Sequence, residues 1–133
     1  MAKTYKIFIS HSWDHLDDLK RLRNLLERRG YFHVEFLEAS PDNPINSDKN
    51  KYIRTVLSQK IESSDIVLGI AGVYASYSDW MQWELDKAIA KNIPIIGVIP
   101  WGNERISKIV SDRANEIVRW NTESIVAAIR RNT

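Results

Sequence analysis

Between Ser63 and Pro100, two short apolar runs rich in branched residues, Ile66–Ile70 and Ile95–Ile99, flank a segment whose apolar residues recur at helical spacing. Runs of this length read as strands buried on both faces, and the segment between them as the crossover helix that parallel neighbours require. The unit is a βαβ, and the rest of the chain must be built around it. Ser78 or Asp79 can cap its helix, which puts Trp80 and Glu84 one turn apart on one face near the helix N-terminus. In an open α/β sheet the ligand crevice lies beyond the carboxyl ends of the strands. The loop after Ile70 therefore delivers Trp80 and Glu84 to its rim.

The flanking sequence extends the same alternation. Tyr5–Ser10 is a β-rich run that ends in Ser-His-Ser-Trp-Asp, and leucines at 16, 19, 22, 25 and 26 follow at helical spacing before Arg28, Arg29 and Gly30. This predicts a strand, a loop and an amphipathic helix with basic residues in its last turn and glycine at its C-cap. His33–Leu37 reads as a second short strand, and 38–50 as a long polar loop with two prolines, expected to form a mobile edge of the site. Ile53, Val56, Leu57 and Ile61 give the next helix a one-sided apolar stripe. After Pro100 the chain is loop-like, with a short helix expected near Ile106–Ser111, a fifth strand at Glu116–Trp120 and a closing helix started by Asn121 or Thr122. Five strands alternating with helices predict a flavodoxin-like three-layer α/β/α sandwich with a parallel sheet ordered 2-1-3-4-5. Ile7, Ile9, Leu22, Val67, Ile70, Leu85, Ile96 and Val98 are its expected core.

Composition narrows the function classes. With 133 residues, 44% hydrophobic and 27% charged, the chain reads as a single domain over 1–133. It has no cysteine, which rules out thiolate catalysis, disulfides and cysteine-ligated metal and is compatible with a reducing compartment. The apolar run near the N-terminus is too short for a signal peptide or membrane span, so the expected location is the cytoplasm, with no membrane association. A net charge of +2, its basic residues concentrated on the first helix and the C-terminus, reads as a solvated face and not as a nucleic-acid stripe.

The loop after the first strand has no glycine to cradle a phosphate, and the third strand ends in Ile70-Ala71-Gly72 where a phospho-acceptor receiver needs an aspartate. Both features argue against flavin binding and phosphorelay. Ser10, His11, Ser12, Trp13, Asp14 and His15 hold hydrolytic residue types, yet side chains of consecutive strand residues alternate in direction and cannot converge as a triad. Ser10 and His11 remain candidate ligand contacts at the mouth of the crevice, while Ser12 or Asp14 can cap the following helix. No histidine and carboxylate spacing suggests a metal site.

Two stretches carry a family resemblance. Tyr5-Lys-Ile-Phe-Ile-Ser-His-Ser resembles the first box of TIR domains. Ser64-Asp-Ile-Val-Leu together with Tyr74-Ala-Ser-Tyr-Ser-Asp-Trp-Met-Gln-Trp-Glu-Leu resembles their strand leading into the W-x-x-x-E helix, and Trp80 and Glu84 match that motif. The short length and the continuation through Lys87-Ala-Ile to Ile93-Pro-Ile-Ile-Gly-Val are most similar to the bacterial TIR-like family that includes ThsB of Thoeris anti-phage defence. The 38–50 loop departs from the family in lacking its Arg-Asp-x-x-Pro-Gly character, and one extra residue, Tyr77 or its neighbour, lies before the motif. The resemblance implies a TIR enzyme, of NAD glycohydrolase or ADP-ribosyl cyclase type, that consumes NAD as substrate and needs no bound cofactor. It also implies an ADP-ribose-derived, linear or cyclic signal, self-association through TIR–TIR contacts, and a downstream effector that senses the signal without touching this protein.

Elementary chemistry agrees with that implication. Nicotinamide leaves NAD as a neutral molecule from a cationic bond, so no general acid is required and the barrier is an oxocarbenium-like ribosyl cation. Glu84 can stabilise that cation or hold a ribose hydroxyl, and Trp80 offers a ring for a flat base. Glu84 is thus the expected catalytic residue, with Trp80, Ser10, His11 and Ser78 as substrate contacts; Met81 and Trp83 are assigned to packing. As an exposed first-turn acid, Glu84 would add at most about 1 kcal/mol through the helix dipole, so its replacement by Gln is expected to leave folding unchanged. Two other readings use the same residues: a non-enzymatic TIR-like interaction module, and a nucleoside deoxyribosyltransferase-like enzyme that breaks a comparable N-glycosidic bond.

Overall fold

The computed structural model describes residues 4–10, 16–29, 33–37, 49–71, 79–100 and 107–133. In chain order these form β1 (Thr4–Ser10), α1 (Leu16–Glu27), β2 (His33–Leu37), α2 (Lys49–Ser63), β3 (Ile66–Ile70), α3 (Asp79–Ala90), β4 (Ile95–Ile99), α4 (Lys108–Ser111), β5 (Glu116–Arg119) and α5 (Thr122–Asn132). The strands make one sheet in the order β2-β1-β3-β4-β5, parallel at every pairing. Fold class and strand order are those the sequence predicts, and strand limits differ by at most one residue.

Parallel strands buried on both faces need apolar side chains on both, which explains the unbroken runs of β3 and β4. Both strands are buried at all five positions. Alternation along them divides the core into two layers. Ile7, Ile9, Ile66, Leu68, Ile70, Ile96 and Val98 pack with Leu22 and Leu26 of α1 and with Ile125 and Ile129 of α5. Phe8, Val67 and Ile95 face the other way, against Leu57 and Ile61 of α2, Met81 and Leu85 of α3 and Val110 of α4. All eight core positions expected from the sequence are buried. Each such side chain contributes about 1.5–3 kcal/mol on leaving water, so the two layers dominate the stability.

Two polar side chains pin the strand register at the amino ends of the sheet. Lys6 N–H donates to Asp65 Oδ2 at 2.9 Å while Asp65 N–H donates to the Lys6 carbonyl at 2.7 Å. Asn115 does the same at β4, accepting from Ile95 N–H at 2.9 Å and donating to the Ile95 carbonyl at 2.7 Å. Because slipping by one residue would turn every side chain to the opposite layer, such clamps reinforce what the apolar pattern already demands.

Helix ends follow local chemistry. Asn121 caps α5, its side-chain oxygen accepting from Ser124 N–H at 3.0 Å. The C-terminal end of α3 closes on Asn92 at φ 59°, with Asn92 N–H donating to the Ile89 carbonyl and Ile93 N–H to the Ala88 carbonyl. This is the Schellman arrangement, with asparagine in the left-handed position that glycine usually takes. One expected detail is corrected: α1 ends at Glu27 with no basic residue in its last turn. Arg29 lies past the helix end, where its Nε reaches Glu123 Oε1 at 2.8 Å and ties the end of α1 to the start of α5. Gly30 and residues 38–48 lie outside the described residues, as do the C-cap and mobile-loop expectations that rest on them.

Candidate active site

The order 2-1-3-4-5 means that the chain leaves β1 toward one edge of the sheet and resumes at β3 on its other side. The crevice of such a sheet opens where those directions diverge, beyond the carboxyl ends of β1 and β3. Ser10 is the last residue of β1, in register with Gly69 of β3. The strand alternation that sends Ile7 and Ile9 to the α1/α5 layer sends Phe8 and Ser10 to the α3 layer. Glu84 comes to the same point from α3, and the two side chains meet: the Ser10 hydroxyl donates to Glu84 Oε1 at 2.8 Å. The contact joins residues 74 positions apart in sequence.

Both groups are buried, Ser10 completely and Glu84 at 4% exposure. Charging a carboxyl without water around it is unfavourable, and that burial pushes Glu84 up to about 8, with the Ser10 hydrogen bond pulling in the opposite direction. An ordinary glutamate is fully ionised at neutral pH. This one holds its proton until mildly alkaline conditions unless a cation arrives beside it.

The expected exposed first-turn glutamate is therefore corrected. Helix α3 begins at Asp79, which makes Glu84 its sixth residue, beyond the first turn where the helix dipole acts strongly, and it lies within the protein. The sequence signal that could have shown this is its position beside Leu85 and one turn after Met81, both fully buried. A glutamate flanked by core positions shares their side of the helix.

Of the other sequence candidates, Trp80 is placed by its backbone as the second residue of α3, one turn before Glu84. His11 and Ser78 lie outside the described residues. Met81 is fully buried and Trp83 packs partly buried against the same layer, with the Lys87 ammonium 5.5 Å from its ring centre. Sequence reasoning passed over Ser107, the N-cap of α4, which is buried and whose N–H donates to the carbonyl of Ala71, the residue after β3. A lone serine before a one-turn helix gives no signal that it lies at the carboxyl edge of the sheet. Among the described residues no group of histidines and carboxylates gathers that could hold a metal ion. Among them, too, no helix is long and apolar enough to cross a membrane.

A serine ending the first strand, joined to a glutamate one turn into the helix after the third, is the juncture of the two TIR-like boxes of the sequence. Residues 8–105 match the family described as the TIR-like domain of the Thoeris protein ThsB. The chain belongs to this ThsB TIR-like family. No curated protein matches it. Similar solved structures include a 2-deoxyribosyltransferase from the psychrotolerant bacterium Bacillus psychrosaccharolyticus, 20% identical over 93% of this chain and 95% of that one, with a TM-score of 0.64. The CMP N-glycosidase BcmB of Clostridium botulinum is 15% identical over 94% and 98% of the two chains, with a TM-score of 0.56. A variant of Era from Aquifex aeolicus, bound to GDP and aluminium fluoride, is 15% identical over 96% of this chain and 56% of that one, with a TM-score of 0.64. At such identities the likeness is one of fold, and a fold shared among such different proteins does not choose a chemistry. In this chain the fold carries a buried Ser10–Glu84 pair at the switch point.

Proposed function

We propose that this ThsB TIR-like protein is an NAD-consuming enzyme of anti-phage defence that cleaves the nicotinamide–ribose bond and makes a linear or cyclic ADP-ribose-derived signal in the cytoplasm. The observation that carries the reading is the Glu84 carboxyl, held by the Ser10 hydroxyl and buried, at the carboxyl edge of a parallel sheet. In this reaction the leaving nicotinamide takes both electrons of the C–N bond and departs neutral, while positive charge develops on the ribose. A carboxylate beside that charge in a dry site is worth far more than one in water. The cationic ring of NAD favours the ionised form of Glu84 on binding, so the charge appears where and when it is needed. Trp80, one turn earlier, offers a face for a flat base, and Ser78 and His11 stand as further contacts. Self-association through TIR contacts and a separate effector that senses the product complete the reading.

The test is nicotinamide release by the parent and by Glu84→Gln, followed by chromatography. Loss of a charge that stabilises the transition state by about 3 kcal/mol or more lowers the rate at least roughly a hundredfold. Unchanged turnover in Glu84→Gln would remove Glu84 from the chemistry, whereas no nicotinamide release by the parent would favour a non-enzymatic interaction module. A second substrate arm with deoxynucleosides and CMP covers the base–sugar chemistry named for two of the structural neighbours. Free base in place of nicotinamide would move the same carboxyl to nucleoside cleavage.

A further inference from the structure

We infer that Ser10 is a positioning residue, which acts through Glu84 by holding its Oε1 in one orientation at the crevice and does not itself contact the substrate. The inference rests on the functional reading above and departs from the expectation that Ser10 is a ligand contact. Ser10 has no exposed surface, so a ligand cannot reach it without displacing its surroundings, whereas Glu84 retains a small exposed fraction. A serine hydroxyl has one proton, and here it is committed to Oε1 at 2.8 Å. The donor is fixed at its base, because β1 is paired with β2 from Thr4 to Phe8 and with β3 from Ile7 through Ser10 itself. A hydroxyl on a paired strand gives the carboxyl a rigid reference that a loop residue would not.

No other charged group among the described residues competes for that role. The described side chains packed in this layer from β1, β3, β4, α2 and α4 include the apolar Phe8, Val67, Ile95, Leu57 and Val110; Lys6, which shares the alternation of Phe8 and Ser10, is exposed toward the amino end of β1. The charged residues joining α3 to its neighbours, Asp86 with Arg113 and Lys91 with Glu62, form ion pairs on the solvent side. The only described interaction that favours the ionised form of Glu84 is the Ser10 hydrogen bond.

The test reads Glu84 directly and needs no turnover. With 13C-labelled glutamate, the Glu84 carboxyl resonance is assigned by its loss in Glu84→Gln and titrated in the parent, Ser10→Ala and Ser10→Cys, with circular dichroism as the check on folding. Loss of the donor is expected to raise the titration midpoint by about one pH unit in Ser10→Ala, a tenfold change in the ionisation constant. Ser10→Cys, of similar shape and weaker as a donor, should fall between the two, and it carries the test if Ser10→Ala does not fold. A midpoint in either folded variant equal to or below that of the parent overturns the inference. Nicotinamide release is measured on the same samples, as KM and kcat separately. A positioning role lowers kcat and leaves KM close to the parent value, whereas a raised KM at unchanged kcat would return Ser10 to substrate contact. If the midpoint shifts but no sample releases nicotinamide, the positioning role stands and the NAD reading falls.

Discussion

At the residue scale the decisive fact is that Glu84 is buried in a layer of apolar side chains and met there by one hydroxyl. Its consequence for stability has a definite sign. Below about pH 4.5 the carboxyl is protonated in both the folded and the unfolded chain and contributes nothing to the difference. From there to about 8 the unfolded chain releases the proton and the folded one keeps it, so stability falls as pH rises, and the whole penalty is present above 8. That penalty is on the order of a few kcal/mol. Glu84→Gln removes it, so the variant should melt roughly 5–10 °C above the parent at pH 8, with the two curves converging near pH 4.5. Equal melting temperatures at both pH values would mean that the carboxyl is solvated in the folded protein. If the proposed NAD cleavage holds, the same proton bears on it: kcat/KM for nicotinamide release, which reports the free protein, is expected to rise with pH and level off above about 8. A profile flat from pH 6 to 9 would show that the ionisation of Glu84 does not limit the reaction.

The elements are placed by contacts as specific as the pair itself. Gly69 and Gly97 sit side by side in β3 and β4, and the one-turn helix α4 lays Val110 over them. A Cβ at Gly97 would come within 2.9 Å of Val110 Cγ1 and 3.3 Å of Ile117 Cγ1, whereas at Gly69 the closest approach is 3.4 Å. Gly97→Ala should therefore lower stability by about 1–3 kcal/mol in chemical denaturation, and Val110→Ala in that background should recover part of the loss. Gly69→Ala should cost about 1 kcal/mol or less. Similar losses at both positions would show that strand propensity, and not the seating of α4, sets the cost. These glycines matter to the site because α4 follows Ser107, which is anchored to Ala71 at the carboxyl edge of β3.

On the scale of the whole molecule, stability should decline from the middle of the sheet outward. β3 is buried at every position and paired on both sides, while β5 is an edge strand with half-buried and exposed residues. Native-state hydrogen exchange is expected to release the β3 amides only through global unfolding and those of β5 through a smaller opening. Identical denaturant dependence for the two would make the domain a single cooperative unit. The architecture was legible in the order of residues, because branched apolar runs at Ile66–Ile70 and Ile95–Ile99 can be buried only between helical layers, and the caps and spacings between them leave little choice of element. That order also marked Ser10 and Glu84 separately, through the boxes in which they stand. Local pattern could not show that these two touch or that Glu84 is buried. Their contact spans 74 residues, and the polarity of a glutamate reads as solvent exposure wherever it stands. Only the stacking of α3 on β1 and β3, which excludes water around the carboxyl and brings one hydroxyl to it, turned a surface charge into a tuned acid.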